Sequence, residues 1–372
     1  MSALALQDIL PGPASLAALK RRVQANAAKR PGVYEFLDAA GALLYVGKAK
    51  DLRTRLLSYF TAPWPESKSA RLIRCAADIR WRYVPSEFAA FIEELRLIQR
   101  QRPAYNVRGV TTRAGLAFIK LKGGAVPKLL VTDQARDPHS LYYGPFRGRG
   151  QSVAAIRTLS DLLGLRDCAD RVPMVLADQA SLFDAPLSPA CIRHELGTCL
   201  GPCAARCSAE SYRAATAAAA DFLESRSAHP LERALEAMAG ASERCEYERA
   251  AYWRGKLDDL IWLFAAVARL RAAVDGLSFV YGVKDASGNG EDRVYLVRHG
   301  TVKAEAAWPR TPIEREAFAE SVRLCVHEEV SAPAARTAHD MAQLLLVMSW
   351  FRQHPEEYEQ TWGYRRWLEG AA

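Results

Sequence analysis

The spacing of apolar and polar positions near the N-terminus predicts a short strand pair followed by a helix. Two apolar runs rich in β-branched and aromatic residues, 31–37 and 43–47, flank the turn sequence Asp38-Ala39-Ala40-Gly41. Such runs joined by a turn are typical of an antiparallel hairpin. Asp51 then stands where a helix N-cap is expected, and the helix that follows carries Arg55 on its first turns.

Further elements are predicted by the same periodicities. Alternating apolar runs favour strands, and apolar residues spaced three and four apart favour helices. The predicted helices cover 86–95, 152–163, 211–225, 231–263 as an antiparallel pair, 312–328 and 338–351, and the predicted strands cover 117–121, 128–132, 277–283, 292–297 and a short run around Val302. Separate helical and strand-rich blocks of this kind indicate an α+β multidomain protein.

Composition narrows the class of protein. With 372 residues, of which 50% are hydrophobic, the chain can bury real cores in about two to four compact units. The net charge of +8 and the pI near 9.1 favour a polyanionic partner. No apolar run is long enough to span a bilayer, and no basic leader with an apolar stretch opens the chain. We therefore expect a cytoplasmic protein without a membrane partner.

Candidate chemistry is concentrated on the predicted hairpin and helix, which together carry Tyr34, Tyr45, Lys48 and Arg55. A tyrosine hydroxyl can pass a proton, and an arginine fork can hold phosphoryl oxygens. The set therefore suits a cleft that handles a phosphate. Each residue taken singly has a plainer interpretation, because a lone Tyr on a strand usually packs and a lone Arg on a helix is usually solvated.

The same stretch resembles the GIY-YIG nuclease family, whose two half-motifs match Gly32-Val33-Tyr34 and Tyr45-Val46-Gly47. The later parts of the family pattern follow in order, and they are Arg55, Tyr59, a carboxylate in the helix 86–95, and Pro103-Ala104-Tyr105-Asn106-Val107. The full set is similar to the nuclease domain of the UvrC excision-repair family and to its short homologue Cho. The resemblance implies a small α/β nuclease domain.

Residue chemistry and this resemblance together imply metal-dependent cleavage of a phosphodiester bond. Glu94 would hold one Mg²⁺ or Mn²⁺, and its register with the downstream motif favours it over the neighbouring Glu93. Tyr45 would accept the proton of the attacking water while Lys48 lowers its pKa, and Arg55 would neutralise charge on the phosphorus. The remaining members would orient or brace the site, and they are Tyr34, Tyr59 and Asn106.

The cysteines indicate a second site. Five of the eight cluster, and a protein without an export signal should keep them as thiols or metal ligands. The run from Cys191 to Cys203 resembles the Cys-rich segment of the UvrC family, which ligates a 4Fe–4S cluster, and the matching positions are Cys168, Cys191, Cys199 and Cys203. Zinc is the main alternative, metal-free thiols are a third, and Cys207 offers a competing fifth thiol. The remaining cysteines, Cys75, Cys245 and Cys325, are expected to be buried.

The rest of the chain is similar to the UvrC family in outline. The run from Glu246 to Arg254 resembles the UVR motif, a helical hairpin by which UvrC binds UvrB. We expect no room after it for the ribonuclease-H-like nuclease of UvrC. The implied segments are an N-terminal helical extension (1–28), the nuclease domain (29–107), a small β/α linking region (108–167), a Cys-rich iron–sulfur segment with a helix (168–225), the helical hairpin (226–272) and a small C-terminal α+β region (273–372).

The function that this resemblance implies is nucleotide excision repair. The expected reaction is an incision 3′ to a lesion in damaged double-stranded DNA, with UvrB as the partner and UvrA acting upstream. Two alternatives stay open. One is a structure-specific nuclease on branched DNA that needs neither protein, and the other is a non-catalytic DNA-binding iron–sulfur protein.

Overall fold

The computed structural model describes residues 13–106, 110–111, 116–178, 191–286, 288–327 and 334–370. Some sequence predictions lie partly outside these residues. They are the start of the N-terminal extension, the end of the nuclease motif at Val107, the second half of the stretch between Cys168 and Cys191, and the last residue of the helix predicted over 312–328.

The helices and strands follow one another along the chain with bounds close to those predicted. In order they are α1 (Pro13–Asn26), β1 (Gly32–Leu37), β2 (Leu43–Ala49), α2 (Leu52–Tyr59), α3 (Lys68–Cys75), β3 (Asp78–Tyr83), α4 (Glu87–Gln101), β4 (Val110–Thr111), β5 (Leu116–Lys122), β6 (Lys128–Thr132), β7 (Gln134–Ala135), β8 (Leu141–Arg147), α5 (Arg149–Leu163), α6 (Ile192–Glu195), α7 (Ala209–Leu223), α8 (His229–Glu243), α9 (Tyr247–Asp275), β9 (Phe279–Val283), β10 (Arg293–Arg298), β11 (Thr301–Ala307), α10 (Pro312–His327), α11 (Ala338–Gln353), a 3-10 helix (Pro355–Gln360), β12 (Thr361–Trp362) and α12 (Tyr364–Leu368).

Strand β1 is the middle strand of the N-terminal sheet, whose order is β2-β1-β3. The predicted hairpin is confirmed, because β1 and β2 are antiparallel with Tyr34 opposite Gly47 and Phe36 opposite Tyr45. Strand β3 pairs with the other edge of β1 and is absent from the sequence prediction. Its residues 78–83 alternate charged and apolar side chains, which is the signal that could have found it.

Helix α2 begins after the predicted cap Asp51, and helix α4 begins after Ser86, the first residue of its predicted range, which also acts as a cap. The Asp51 carboxylate accepts a hydrogen bond from the Thr54 N–H at 2.9 Å, and the Ser86 hydroxyl accepts one from the Ala89 N–H at 3.0 Å. Helix α4 continues beyond the predicted end and stops at Arg102, which has a left-handed backbone with φ of 49°. Helix α4 packs against both β1 and β2.

The chain forms two compact units, and the first contains residues 1–108, 277–329 and 343–372. Its C-terminal part carries a second sheet of order β11-β10-β9-β12. Phe88 of α4 packs edge-on against Tyr281 and Tyr295, each at a ring distance of 5.0 Å, and against Trp350 at 5.5 Å. The nuclease-like residues and the C-terminal α+β residues therefore share an aromatic core. The division of the chain into six segments stays a prediction.

The second unit contains residues 109–276 and 330–342. A sheet of order β6-β5-β8 carries helix α5, and the predicted antiparallel helix pair is present as α8 and α9. Cys245 corrects one expectation, because it lies exposed in the turn between these helices with φ of 56° and is not buried. Cys75 is half-buried, and Cys325 is buried as expected. Over the described residues, no helix has the length and apolar character needed to cross a membrane.

Candidate active site

Tyr34 and Tyr59 form the centre of a polar cluster inside the N-terminal sheet and helix. Their hydroxyl oxygens are 2.7 Å apart, and Tyr34 is only 1% exposed. Arg55 donates from Nε to the Tyr34 hydroxyl at 3.2 Å and from Nη2 to the Tyr59 hydroxyl at 3.5 Å. Arg55 and Tyr59 are four residues apart on α2, so one helix face presents both. Three of the predicted site residues are therefore in contact.

Gly47 makes room for this cluster. A Cβ atom at Gly47 would lie 2.4 Å from both Cζ and the hydroxyl oxygen of Tyr34, and 2.8 Å from Cε1 of Tyr45. Such distances are far shorter than van der Waals contact. The phenol of Tyr34 can therefore pack over β2 only because residue 47 is a glycine. The glycine of the second half-motif has a steric function.

Replacing Gly47 by alanine should therefore displace the Tyr34 ring. We expect a loss of about 1–3 kcal/mol in the free energy of unfolding, which is typical of overpacking, together with loss of any activity that depends on the cluster. Thermal unfolding measures the first effect. Gly255 is a matched control, because a Cβ there meets no atom within 4 Å and alanine suits a helix. Equal stability of Gly47→Ala and the native protein would contradict the steric function.

Tyr45 joins the cluster through its ring, whose centroid is 6.2 Å from that of Tyr34. Burial is the main cause that raises the pKa of Tyr45 above its ordinary value; Tyr59 and Glu94 raise it further, and Arg55 opposes them. Burial likewise raises the pKa of Tyr34 to about 12 and raises that of Tyr59. All three hydroxyls therefore carry their protons at neutral pH.

Lys48 has other partners than those expected. Its ammonium lies 3.2 Å from the ring centroid of Phe91 and 3.7 Å from a carboxylate oxygen of Glu87. Burial lowers the pKa of Lys48. Arg55 is a cation that acts to lower the pKa of Tyr45, and the role of Lys48 toward Tyr45 stays a prediction. Glu87 and Phe91 were missed, although their spacing with Glu94 places all three on one face of α4.

The two candidate carboxylates of α4 have different surroundings. Burial raises the pKa of Glu94 to about 7, while Lys48 and Arg55 act in the opposite direction. Glu93 instead pairs with Arg82 and lies 3.9 Å from a guanidinium nitrogen of Arg96. Glu94 therefore carries a negative charge that burial disfavours and that a cation would stabilise, whereas Glu93 is already neutralised.

Asn106 fastens the segment after α4 to the edge of β2. Its side-chain amide donates to the Val46 carbonyl and accepts from the Val46 N–H, both at 2.9 Å. The Tyr105 N–H also donates to the Leu44 carbonyl at 2.9 Å. The Asn106 side chain thus pairs with the backbone of Val46, the residue after Tyr45, as an additional strand residue would. This contact is compatible with the bracing role expected for Asn106.

The clustered cysteines lie near one another in the second unit. Cys199 is buried, and its sulfur accepts from the Gly201 N–H at 3.5 Å. Burial first, and then neighbouring thiols that include Cys191, raise the pKa of Cys199 and Cys203. Burial also raises the pKa of Cys207, to about 11. Across the described ranges, however, no three or more His, Cys, Asp or Glu side chains are grouped closely enough to hold a metal ion. The geometry does not support the iron–sulfur cluster, which stays a prediction.

Comparison with protein families gives two adjacent matches. Residues 30–107 match the UvrC-like GIY-YIG domain, and residues 116–222 match the middle domain of the UvrC/Cho excinuclease. The first covers every residue of the tyrosine cluster together with Glu94 and Asn106. The second covers all five clustered cysteines.

Two curated relatives are similar to more than half of the chain. UvrABC system protein C of Saccharophagus degradans is 33% identical over 236 residues, which are 63% of this chain and 37% of that protein. UvrABC system protein C of Carboxydothermus hydrogenoformans is 28% identical over 289 residues, which are 77% of this chain and 45% of that protein. The chain thus spans less than half the length of the curated relatives it matches.

Solved structures of one domain are similar to part of the chain. One of them is the GIY-YIG N-terminal endonuclease domain of UvrC from Thermotoga maritima, bound to its catalytic divalent cation, magnesium. The identity is 39%, the alignment covers 24% of this chain and 96% of that one, and the TM-score is 0.22. At that TM-score the superposition itself supports no conclusion about the fold.

Proposed function

Since this chain joins a GIY-YIG endonuclease domain of the UvrC type to a UvrC/Cho middle domain, we propose that it cuts DNA during nucleotide excision repair. The reaction is hydrolysis of one phosphodiester bond 3′ to a lesion, in DNA that UvrA and UvrB have processed. One observation carries the proposal: Arg55 donates to the two hydroxyls of Tyr34 and Tyr59, next to Tyr45 and near enough to the half-buried carboxylate of Glu94 to lower its pKa.

Arg55 supplies the positive charge for the phosphate. It is exposed overall, while two of its nitrogens contact the tyrosine hydroxyls. A guanidinium held in this way can direct its remaining N–H groups outward to phosphoryl oxygens, where charge develops in the transition state. Tyr34 and Tyr59 keep it in place and, as protonated hydroxyls, can donate to water or phosphate.

Tyr45 and Glu94 supply the proton acceptor and the cation ligand. A divalent cation at Glu94 would polarise the scissile phosphate, stabilise the leaving oxygen and neutralise the carboxylate charge that raises the pKa of Tyr45. Tyr45 would first release its own proton to solvent, favoured by the Arg55 cation, and the resulting tyrosinate would take the proton of the attacking water. Asn106 holds the strand that carries Tyr45 through its two hydrogen bonds to Val46.

The raised pKa of Glu94 predicts how metal binding depends on pH. Below about pH 7 the carboxyl is protonated, so a metal must displace a proton in order to bind. We expect the affinity for Mn²⁺ to fall about tenfold for each pH unit below 7 and to level off above it. Titration calorimetry with Mn²⁺ between pH 5.5 and 8.5 measures this, and a flat profile through pH 7 would contradict the assignment.

An incision assay tests the proposed function as a whole. End-labelled duplex with one bulky lesion, incubated with UvrA, UvrB and this protein, should give a single nick on the 3′ side. Tyr45→Phe, which keeps the ring and the charge, should give none. Cutting of branched DNA without UvrA and UvrB would favour the structure-specific nuclease, and binding without any cutting would favour the non-catalytic alternative.

We propose UvrB as the partner of the helical hairpin. Apolar and aromatic side chains are exposed along α8 and α9, namely Leu235, Tyr247, Tyr252 and Ile261. They are available for packing against another helix pair, which is the mode that the resemblance to the UVR motif implies.

We also propose a 4Fe–4S cluster on Cys168, Cys191, Cys199 and Cys203, with zinc as the alternative. The support is the neighbourhood of these thiols and the N–H donor at Cys199. Protein purified without oxygen should be brown, and Cys199→Ser or Cys203→Ser should remove the colour. Cys245→Ser is the matched control, because that thiol is exposed between α8 and α9. Colourless protein with one equivalent of zinc would refute the iron–sulfur assignment.

A further inference from the structure

Trp64 is a large aromatic side chain that the fold leaves 45% exposed between α2 and α3. Its ring is nevertheless held in place, because Cζ of Arg74 lies 4.3 Å from the ring centroid. A guanidinium stacked on an indole fixes the orientation of the ring and adds a positive charge beside it. The pair presents a rigid aromatic surface next to a cation.

This surface adjoins the tyrosine cluster. A cavity of about 190 Å³ is lined by Trp64, Arg74, Lys20, Phe60 and Tyr59, among others. The Tyr59 hydroxyl lies in the cluster, so one residue borders both the cavity and the candidate active site. A strand with one phosphate at Arg55 would therefore bring a neighbouring nucleotide towards Trp64.

Charge around the cavity favours a polyanion. Between Trp64 and Cys75 the chain has three basic residues and one acidic residue, Glu66. In the described part of the structure, no carboxylate forms an ion pair with Lys20, Arg71 or Arg74. Aromatic rings beside unneutralised cations are the arrangement with which proteins bind single-stranded nucleic acid.

We propose that Trp64 and Arg74 form a subsite in which an unpaired base of the cut strand stacks on the indole, while Arg74 faces the adjacent phosphate. The base must be unpaired, because both faces of a base inside a duplex are already covered by its neighbours. The inference rests on the proposed function, since it places the substrate strand at the tyrosine cluster. It adds a preference for locally unpaired DNA beside the cut.

Binding in EDTA tests the subsite apart from cleavage. The probe is a single-stranded oligonucleotide with 2-aminopurine at one position, whose fluorescence falls when the base stacks. Trp64→Ala should weaken binding about tenfold and abolish the quenching, whereas Trp64→Phe should restore much of both. Arg74→Gln should reduce the slope of log affinity against log salt by about 0.7. Ile313→Ala is the matched control, because Ile313 is a large apolar side chain that is 82% exposed on α10 and has no role in the proposed site.

The outcomes separate this inference from the proposed function. Native affinity and native quenching in Trp64→Ala, with normal nicking by the native protein in Mg²⁺, would overturn the subsite alone. In that case the exposed surface of Trp64 and Arg74 would be assigned to binding a protein and not a base. No DNA binding and no nicking by the native protein would overturn both. Circular dichroism and thermal unfolding of Trp64→Ala should match the native protein, because the side chain lies outside the core.

Discussion

Replacing Glu94 by glutamine is expected to abolish strand cleavage while the fold and most of the DNA affinity remain. Glutamine keeps the shape of the side chain but removes the negative charge with which the Glu94 carboxylate would bind a cation. Loss of a metal ligand at a cleavage site removes several kcal/mol of transition-state stabilisation, so we expect at least a thousandfold lower rate, about 4 kcal/mol. Affinity for DNA should fall little, because it rests mainly on Lys and Arg. Single-turnover nicking with Mg²⁺ and Mn²⁺ measures the rate.

Glu93 provides the matched control for this prediction. It is the neighbouring carboxylate on the same helix, and it is neutralised by Arg82 and Arg96. Glu93→Gln should cut within a few-fold of the native rate. If Glu93→Gln were inactive and Glu94→Gln active, the metal site would have been assigned to the wrong carboxylate. Native rates in both variants would remove α4 from the active site.

Replacing Arg55 by alanine should also eliminate cleavage, with a loss of at least about 3 kcal/mol of transition-state stabilisation. The change removes the cation that meets the phosphate and, at the same time, the donor that holds Tyr34 and Tyr59. Arg55→Lys should recover little, because an ammonium keeps the charge but lacks the fork that reaches two hydroxyls and a phosphate. The rate is measured in the same nicking assay at saturating DNA.

Arg53 separates the specific effect of Arg55 from a general loss of positive charge. It lies two positions earlier on α2 and so points to a different side of the helix. Arg53→Ala should cut at close to the native rate and bind DNA slightly more weakly. Equal losses in Arg53→Ala and Arg55→Ala would show that α2 contributes charge alone, and the contact with the tyrosine hydroxyls would then have no catalytic role.

Local patterns in the sequence were sufficient for the hairpin, the cap at Asp51 and the longer helices, but not for the short helices α3, α6 and α12. The turn at Asp38, the cap at Asp51 and the cap at Ser86 all act within a few residues, so their hydrogen bonds depend on neighbours that the sequence shows directly. The half-motifs around Tyr34 and Tyr45 could be read for the same reason. Strand β3 was missed because the alternation of residues 78–83 is short, and these residues are stabilised as a strand by pairing with β1.

The sequence by itself determined which residues are available for phosphate chemistry and which elements carry them. Only the tertiary structure decided their partners: Tyr34 meets Tyr59 across 25 positions, and Lys48 packs on Phe91. It also decided that the nuclease-like helix α4 shares a core with Tyr281 and Tyr295, nearly two hundred positions away. The physical reason is that burial and close contact set the charge state and orientation of a side chain, and both depend on residues distant in the chain.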